Sequence, residues 1–158
     1  HKMDPPSYQP LSDEETPSFN SKDNKVKVAV VAGEINNIKG KISAYSKLLI
    51  LRLTFEKNGE IELPVPKDFN AFLYQLDGKL SIQGTTTFEK NLTWFKNDGT
   101  SIKVKSEEKT RAILLAGAPI NESVYAYGPF VMNNQTQILQ AMSDYQQGKM
   151  GVLIESFD

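Results

Sequence analysis

The feature that most constrains this chain is a repeated alternation between short apolar segments and tight-turn signals. Asn58-Gly59, Asp77-Gly78 and Asn97-Asp98-Gly99 each separate two segments of strand length. Asparagine, aspartate and glycine tolerate the backbone of tight turns, so each signal marks a reversal of an extended chain, and Asn-Gly is the strongest short hairpin signal. The segments themselves are residues 25–32 (KVKVAVVA), 48–55 (LLILRLTF), 60–65, 70–76, 79–83, 94–95, 101–104 and 112–116. They alternate or are wholly apolar, and they are too short for helices. Residues 34–41, with Asn36-Asn37 and Gly40, read as a loop, and Thr85-Thr86-Thr87 as a loop or strand start. Many short strands at this spacing predict an antiparallel sandwich or barrel.

The stretch 111–148 closes this pattern. Residues 112–116 form a continuous apolar run ended by Gly117 and Pro119, and are expected to be a fully buried strand. Residues 123–127 then alternate, with Val124 and Ala126 facing one way and Tyr125 and Tyr127 the other, until Gly128-Pro129. After Phe130, Val131 and Met132, Asn133 or Asn134 can cap a helix, with Gln137 in the capping-box position. Ile138, Leu139, Met142 and Tyr145 share the expected buried face, and Gly148 stands where a helix-ending glycine belongs. This helix is expected to cover an open side of the β-domain.

Composition removes several function classes. A chain of 158 residues with 39% hydrophobic content supports one core, and a formal net charge of −1 argues against a direct nucleic-acid surface. With no cysteine, thiol catalysis, disulfides and thiolate metal sites are excluded. No apolar run reaches the ~18 residues of a membrane helix, and the expected location is cytoplasmic. Residues 1–24 carry four prolines and no hydrophobic periodicity, so they read as a linker or arm, with Tyr8, Leu11 and Phe19 as its anchors.

Candidate chemistry is sparse. The one histidine is His1, so a histidine-based metal centre cannot be assembled, and the acidic residues form no ligand-spaced cluster. Serine has no interior histidine as base, and there is neither a nucleophile elbow nor a glycine-rich phosphate loop. Catalytic, cofactor and metal residues are therefore expected to be none. Tyr74, Tyr125 and Tyr127 are the candidates to line a pocket or interface, since aromatic walls with a few polar groups typify ligand sites. Asn70 reads as a turn-satisfying amide, and the mixed charges of KSEEKTR, residues 105–111, as a solvated turn.

Three blocks together carry a family resemblance. LLAGAPINESVYAYGPFVMN with the AMSDYQQGKMG helix, and LPVPKDFNAFLYQLDGKLSIQG from Leu63 to Gly84, resemble the C-terminal cupin domain of the pirin family. MDPPSYQ near the start is similar to the connector between a pirin's two cupin domains. The resemblance implies a cupin-type double-stranded β-helix, or jelly roll, over residues 25–158, with one C-terminal helix and residues 1–24 as the arm from a preceding domain. With His1 in place of methionine, it also favours a fragment whose N-terminal cupin partner is missing. The family's iron ligands are implied to belong to that N-terminal domain. Here even the histidine often found before the NAF segment is replaced, by Phe69. The expectation is thus a metal-free C-terminal cupin domain with a structural and interaction role beside a metal-bearing cupin. Its alternatives are the non-catalytic part of an iron-dependent quercetin 2,3-dioxygenase-like enzyme, or a stand-alone small-molecule-binding cupin. A two-fold homodimer is the other way to cover an exposed interdomain face.

Overall fold

The computed structural model describes residues 4, 5 and 7–151, and the chain divides into two compact units, one through Pro119 and one from Ile120. In the first unit the strands are β1 (Ser18–Asn20), β2 (Val26–Ala32), β3 (Glu34–Ile35), β4 (Ile38–Lys39), β5 (Leu48–Phe55) and β6 (Glu60–Pro64). They continue as β7 (Asn70–Gln75), β8 (Lys79–Ile82), β9 (Thr85–Phe88), β10 (Leu92–Trp94), β11 (Ser101–Ser106) and β12 (Thr110–Gly117). A six-stranded antiparallel sheet runs in the order β1-β2-β5-β12-β7-β10, and a four-stranded one in the order β6-β11-β8-β9.

Alternation along each strand sends every second side chain between the sheets. The large sheet contributes Val26, Val28 and Val30, Leu49, Leu51, Leu53 and Phe55, Leu73, and Leu114; the small sheet contributes Ile61, Leu63, Leu80, Ile82, Ile102 and Val104. Each fully buried leucine here stabilises the fold by about 1.5–3 kcal/mol relative to exposure. Buried polar groups among them are satisfied. Gln75 donates to the Asp77 and Gly78 carbonyls and accepts from Thr87 Oγ1, while Ser106 Oγ donates to the Glu56 carbonyl.

The turn signals hold their places but not their pairings. Asn58-Gly59 does not join paired strands: β5 lies in the large sheet between β2 and β12, and β6 in the small sheet beside β11. Asp77-Gly78 and Asn97-Asp98-Gly99 are likewise corners where the chain crosses between sheets. Glycine is required at position 78, because a Cβ there would sit 2.1 Å from Thr110 Oγ1. The tight two-residue hairpin of the small sheet is at Gln83-Gly84, both with positive φ, so Thr85, Thr86 and Thr87 form strand β9 and not a loop. A second tight pair, Asn36-Asn37, closes a short β3–β4 ribbon inside the expected loop. From β5 to β12 every connection except β8–β9 changes sheet, which is the winding of a jelly roll.

The 112–116 run is not fully buried. In β12, Thr110, Ala112, Leu114 and Ala116 are buried, while Ile113 and Leu115 point out of the sandwich and are half-buried. The arm is also more ordered than its composition suggests. Its Ser18–Asn20 segment is edge strand β1, with Phe19 packed against the core. Upstream, Thr16 is buried, the Thr16 hydroxyl donates to the Ser12 carbonyl, and Asp13 pairs with Arg52 of β5. Tyr8, expected as an anchor, is 90% exposed.

The second unit holds β13 (Tyr125–Tyr127), β14 (Phe130–Met132) and helix α1 (Gln135–Gln146). Asn134 caps the helix by accepting from the Gln137 N–H, and Gln137 Oε1 accepts in turn from the Asn133 N–H. At the other end, the N–H groups of Gly148 and Lys149 bond the carbonyls of Tyr145 and Asp144, the double bond of a Schellman ending. The helix packs along the β13–β14 hairpin. The expected buried face narrows, however: Ile138 and Ala141 are buried, whereas Leu139 and Tyr145 are exposed. A three-residue hairpin is too short to cover a wider stripe, and Tyr145 meets Phe130 only edge-on, at 6.2 Å.

Candidate functional site

The two sheets present opposite chemistry on their outward faces. On the small sheet the outward positions include Glu60, Glu62, Lys79, Ser81, Lys103 and Lys105, a charged face in which Lys103 bonds Glu60 at 2.9 Å and Lys79 bonds Glu107 at 2.5 Å. The Lys103 ammonium holds the Glu60 carboxyl below its ordinary value, and Glu60 raises Lys103 in return. On the large sheet the registers align two apolar rows. One runs Leu92, Tyr74, Ile113 and then Arg52; the other runs Trp94, Phe72, Leu115 and Ile50. Leu92 and Trp94, on the edge strand, are 56% and 65% exposed. An antiparallel sheet with one solvated face normally carries polar residues there, as the small sheet does and as the end of the large sheet bearing Lys27, Thr54 and Arg111 does, so the two apolar rows are composed for burial.

A second feature is a hollow of about 650 Å³ between the sheets, lined by residues of β7, β8, β9, β10 and β11 with the loops 65–69 and 95–99. Here a cupin's metal chemistry would be expected, so its donors decide whether iron fits. Among the described residues Asp98 is the one carboxylate in the lining, and no imidazole or thiolate joins it. Among the described residues no group of three or more His, Cys, Asp or Glu is placed to hold a metal. Iron does not fit this donor set.

The three tyrosines are divided between the two units. Tyr125 and Tyr127 line an apolar hollow of about 390 Å³ in the second unit with Ile138, Leu139 and Met142. Tyr74 lies in the first unit, in the outer apolar row. Asn70 is exposed and accepts from Asn97 Nδ2 at 3.1 Å. Phe69 packs against the core at the rim of the inter-sheet hollow. The 105–111 segment is not solvated throughout: Glu107, Glu108 and Lys109 form an exposed turn, while Ser106 and Thr110 at its two ends are fully buried, and Lys109 pairs with Glu56 and Arg111 with Asp77. Sequence reasoning missed the outer face. Its signal lay in residues 112–116 and 48–51, where both strand parities are apolar.

Six- and four-stranded antiparallel sheets wound through sheet-switching corners, with one C-terminal helix, define a cupin-type β-sandwich. The family model for the pirin C-terminal cupin domain matches residues 50–151, and the chain belongs to the pirin family through that domain. It is 36% identical over 154 residues to a pirin-like protein of Solanum lycopersicum, covering 95% of this chain and 52% of the relative. It is 35% identical over 155 residues to human pirin, covering 95% of this chain and 53% of that protein. A crystal structure of a quercetin 2,3-dioxygenase from Acinetobacter baumannii superposes with a TM-score of 0.88 at 28% identity, over 97% of this chain and 54% of that one. The chain thus spans about half the length of the relatives it matches. Among the described residues no helix is long and apolar enough to cross a membrane.

Proposed function

We propose that this domain is the non-catalytic half of a two-cupin protein, and that the outer face of its six-stranded sheet packs against the N-terminal cupin half. The observation that carries this reading is the contrast between the two outward faces. A sheet that places Ile50, Phe72, Tyr74, Leu92, Trp94, Ile113 and Leu115 on one surface asks for a cover, because soluble monomers seldom expose contiguous apolar area beyond a few hundred Å². The doubled length of the relatives supplies a cover of the right size. Iron, and the quercetin-cleaving dioxygenase activity named for the Acinetobacter baumannii relative, belong on this reading to the other half. The present domain completes and buries that half's neighbouring surface.

The test is binding of the purified chain to a separately produced N-terminal half of the Solanum lycopersicum relative, followed by calorimetry. Replacing exposed Leu92 and Trp94 together by lysine is expected to weaken binding at least tenfold without unfolding the chain. Equal binding by the double variant, or no binding by the parent chain, contradicts the proposal. Quercetin turnover by the isolated chain, with or without added iron, would place the chemistry in the wrong half.

A further inference from the structure

We infer that the inter-sheet hollow of the first unit is a binding site for a neutral phenolic ligand, a single aromatic ring carrying hydroxyl groups. Its shape follows from the strand registers. The β9–β10 turn is tied to β7 by the Gln75 N–H to the Asn91 carbonyl and the Lys90 N–H to the Gln75 carbonyl. From that tie β9 follows the small sheet and β10 the large one, so the two edge strands diverge. Thr87, in the lining, donates to the Gln75 amide oxygen at 2.8 Å, and Phe95 and Asn97 line the same hollow.

The lining chemistry selects the ligand. Pairing of Ile82 with Thr85 and of Leu80 with Thr87 turns both threonines inward, and pairing of Thr93 with buried Leu73 does the same on the opposite wall. The hydroxyls of Thr85 and Thr93 have no hydrogen-bond partner among the described residues, and Thr87 retains acceptor capacity after donating to Gln75. Phe69 and Phe95, both packed against the core, line the same hollow. Two hydroxyl-bearing walls and two phenyl rings suit a flat ring with polar substituents, which stacks on the aromatics and bonds the threonines. None of these inward positions carries a charge. The charged lining residues, Lys67, Lys96 and Asp98, lie in the loops and not on the strands, so an ionised ligand seated between the threonine walls would lose its hydration without a counter-charge on those walls. A volume of about 650 Å³ lies within the roughly 300–1,000 Å³ of small-molecule sites.

The probe is catechol, titrated into the ¹⁵N-labelled chain and followed by amide chemical shifts. Two comparison ligands divide the chemistry: benzoate keeps the ring but adds charge, and trans-1,2-cyclohexanediol keeps the hydroxyls but loses the ring. Saturable shifts at Thr85, Thr87, Thr93 and Phe95 with catechol, at least tenfold weaker with either comparison ligand, are expected. Thr93→Val, which keeps the shape and removes one hydroxyl, should weaken catechol by about 5- to 10-fold, the loss of one hydrogen bond. Thr85→Phe, at an exposed position of the rim, should abolish binding while leaving the amide spectrum dispersed. The inference is overturned by non-saturable shifts at millimolar catechol, by benzoate or the diol binding as well as catechol, or by unchanged affinity in both variants.

Discussion

The rings of Phe72 and Trp94 stack 5.8 Å apart and 11° from parallel, on the outward face of the large sheet where β7 and β10 pair. Such a pair contributes about 0.5–1.5 kcal/mol beyond its buried area, yet Trp94 remains 65% exposed. In the isolated chain this face is expected to drive weak self-association. Leu92→Lys with Trp94→Lys should shift sedimentation toward monomer at concentrations where the parent chain associates; identical profiles would mean that the face is not adhesive.

The two faces of β12 should respond differently to truncation. Leu114 is fully buried between the sheets and Leu115 only half-buried outside them. Leu114→Ala is expected to cost about 2–5 kcal/mol, as a core cavity does, and Leu115→Ala less than about 1.5 kcal/mol. Urea midpoints at constant slope measure both. A larger loss at Leu115 would reverse the assignment of inside and outside.

Acid sensitivity should localise partly to the β7–β8 corner. Burial pushes the Asp77 carboxyl up, but hydrogen bonds from the Arg111 side chain and backbone, with its charge, outweigh this and leave the group below its ordinary value. A depressed carboxylate contributes stability that is present above the unfolded value and lost as pH falls through the folded one. Asp77→Asn should therefore lower the melting temperature at neutral pH, and the difference from the parent chain should vanish at low pH. Because both partners are substantially exposed, the neutral-pH loss is expected to stay under about 1 kcal/mol. A difference that grows on acidification would contradict the sign.

The arm is expected to be structural. Asp13 pairs with Arg52, and the Val30 N–H donates to the Pro17 carbonyl at 2.8 Å, so the segment before β1 is fastened to the large sheet. Deleting residues 1–16 should lower the melting temperature by at least about 2–4 °C, the equivalent of roughly 1 kcal/mol in a chain of this size. Amide exchange in β1 and β2 should accelerate. Unchanged melting and exchange would make the arm a passive linker.

Local signals were legible where local physics decides. Residues 48–55, the Asn134 cap, Gly148 and the position of a turn at Asp77-Gly78 could all be read from propensity, periodicity and turn chemistry. What could not be read was which strands pair. Asn58-Gly59 looks the same whether it closes a hairpin or turns the chain into the opposite sheet, and only the long-range register of β5 with β12 separates the two. The buried face of α1 was drawn too wide because periodicity shows which residues can be buried, not how large a partner they meet. The inter-sheet hollow was invisible for a similar reason. Thr85, Thr87 and Thr93 come from two edge strands whose divergence depends on the Gln75 tie.

The most direct test of the central claim uses Trp94, the only tryptophan in the chain. Labelled with 5-fluorotryptophan, the protein gives one ¹⁹F resonance reporting on the outer face of the large sheet. On adding the unlabelled N-terminal half of a full-length pirin-like relative, that resonance is expected to shift and lose its sensitivity to solvent isotope, and Leu92→Lys should suppress the change. A complex that forms while the resonance keeps its position and solvent exposure would show that the N-terminal half docks elsewhere.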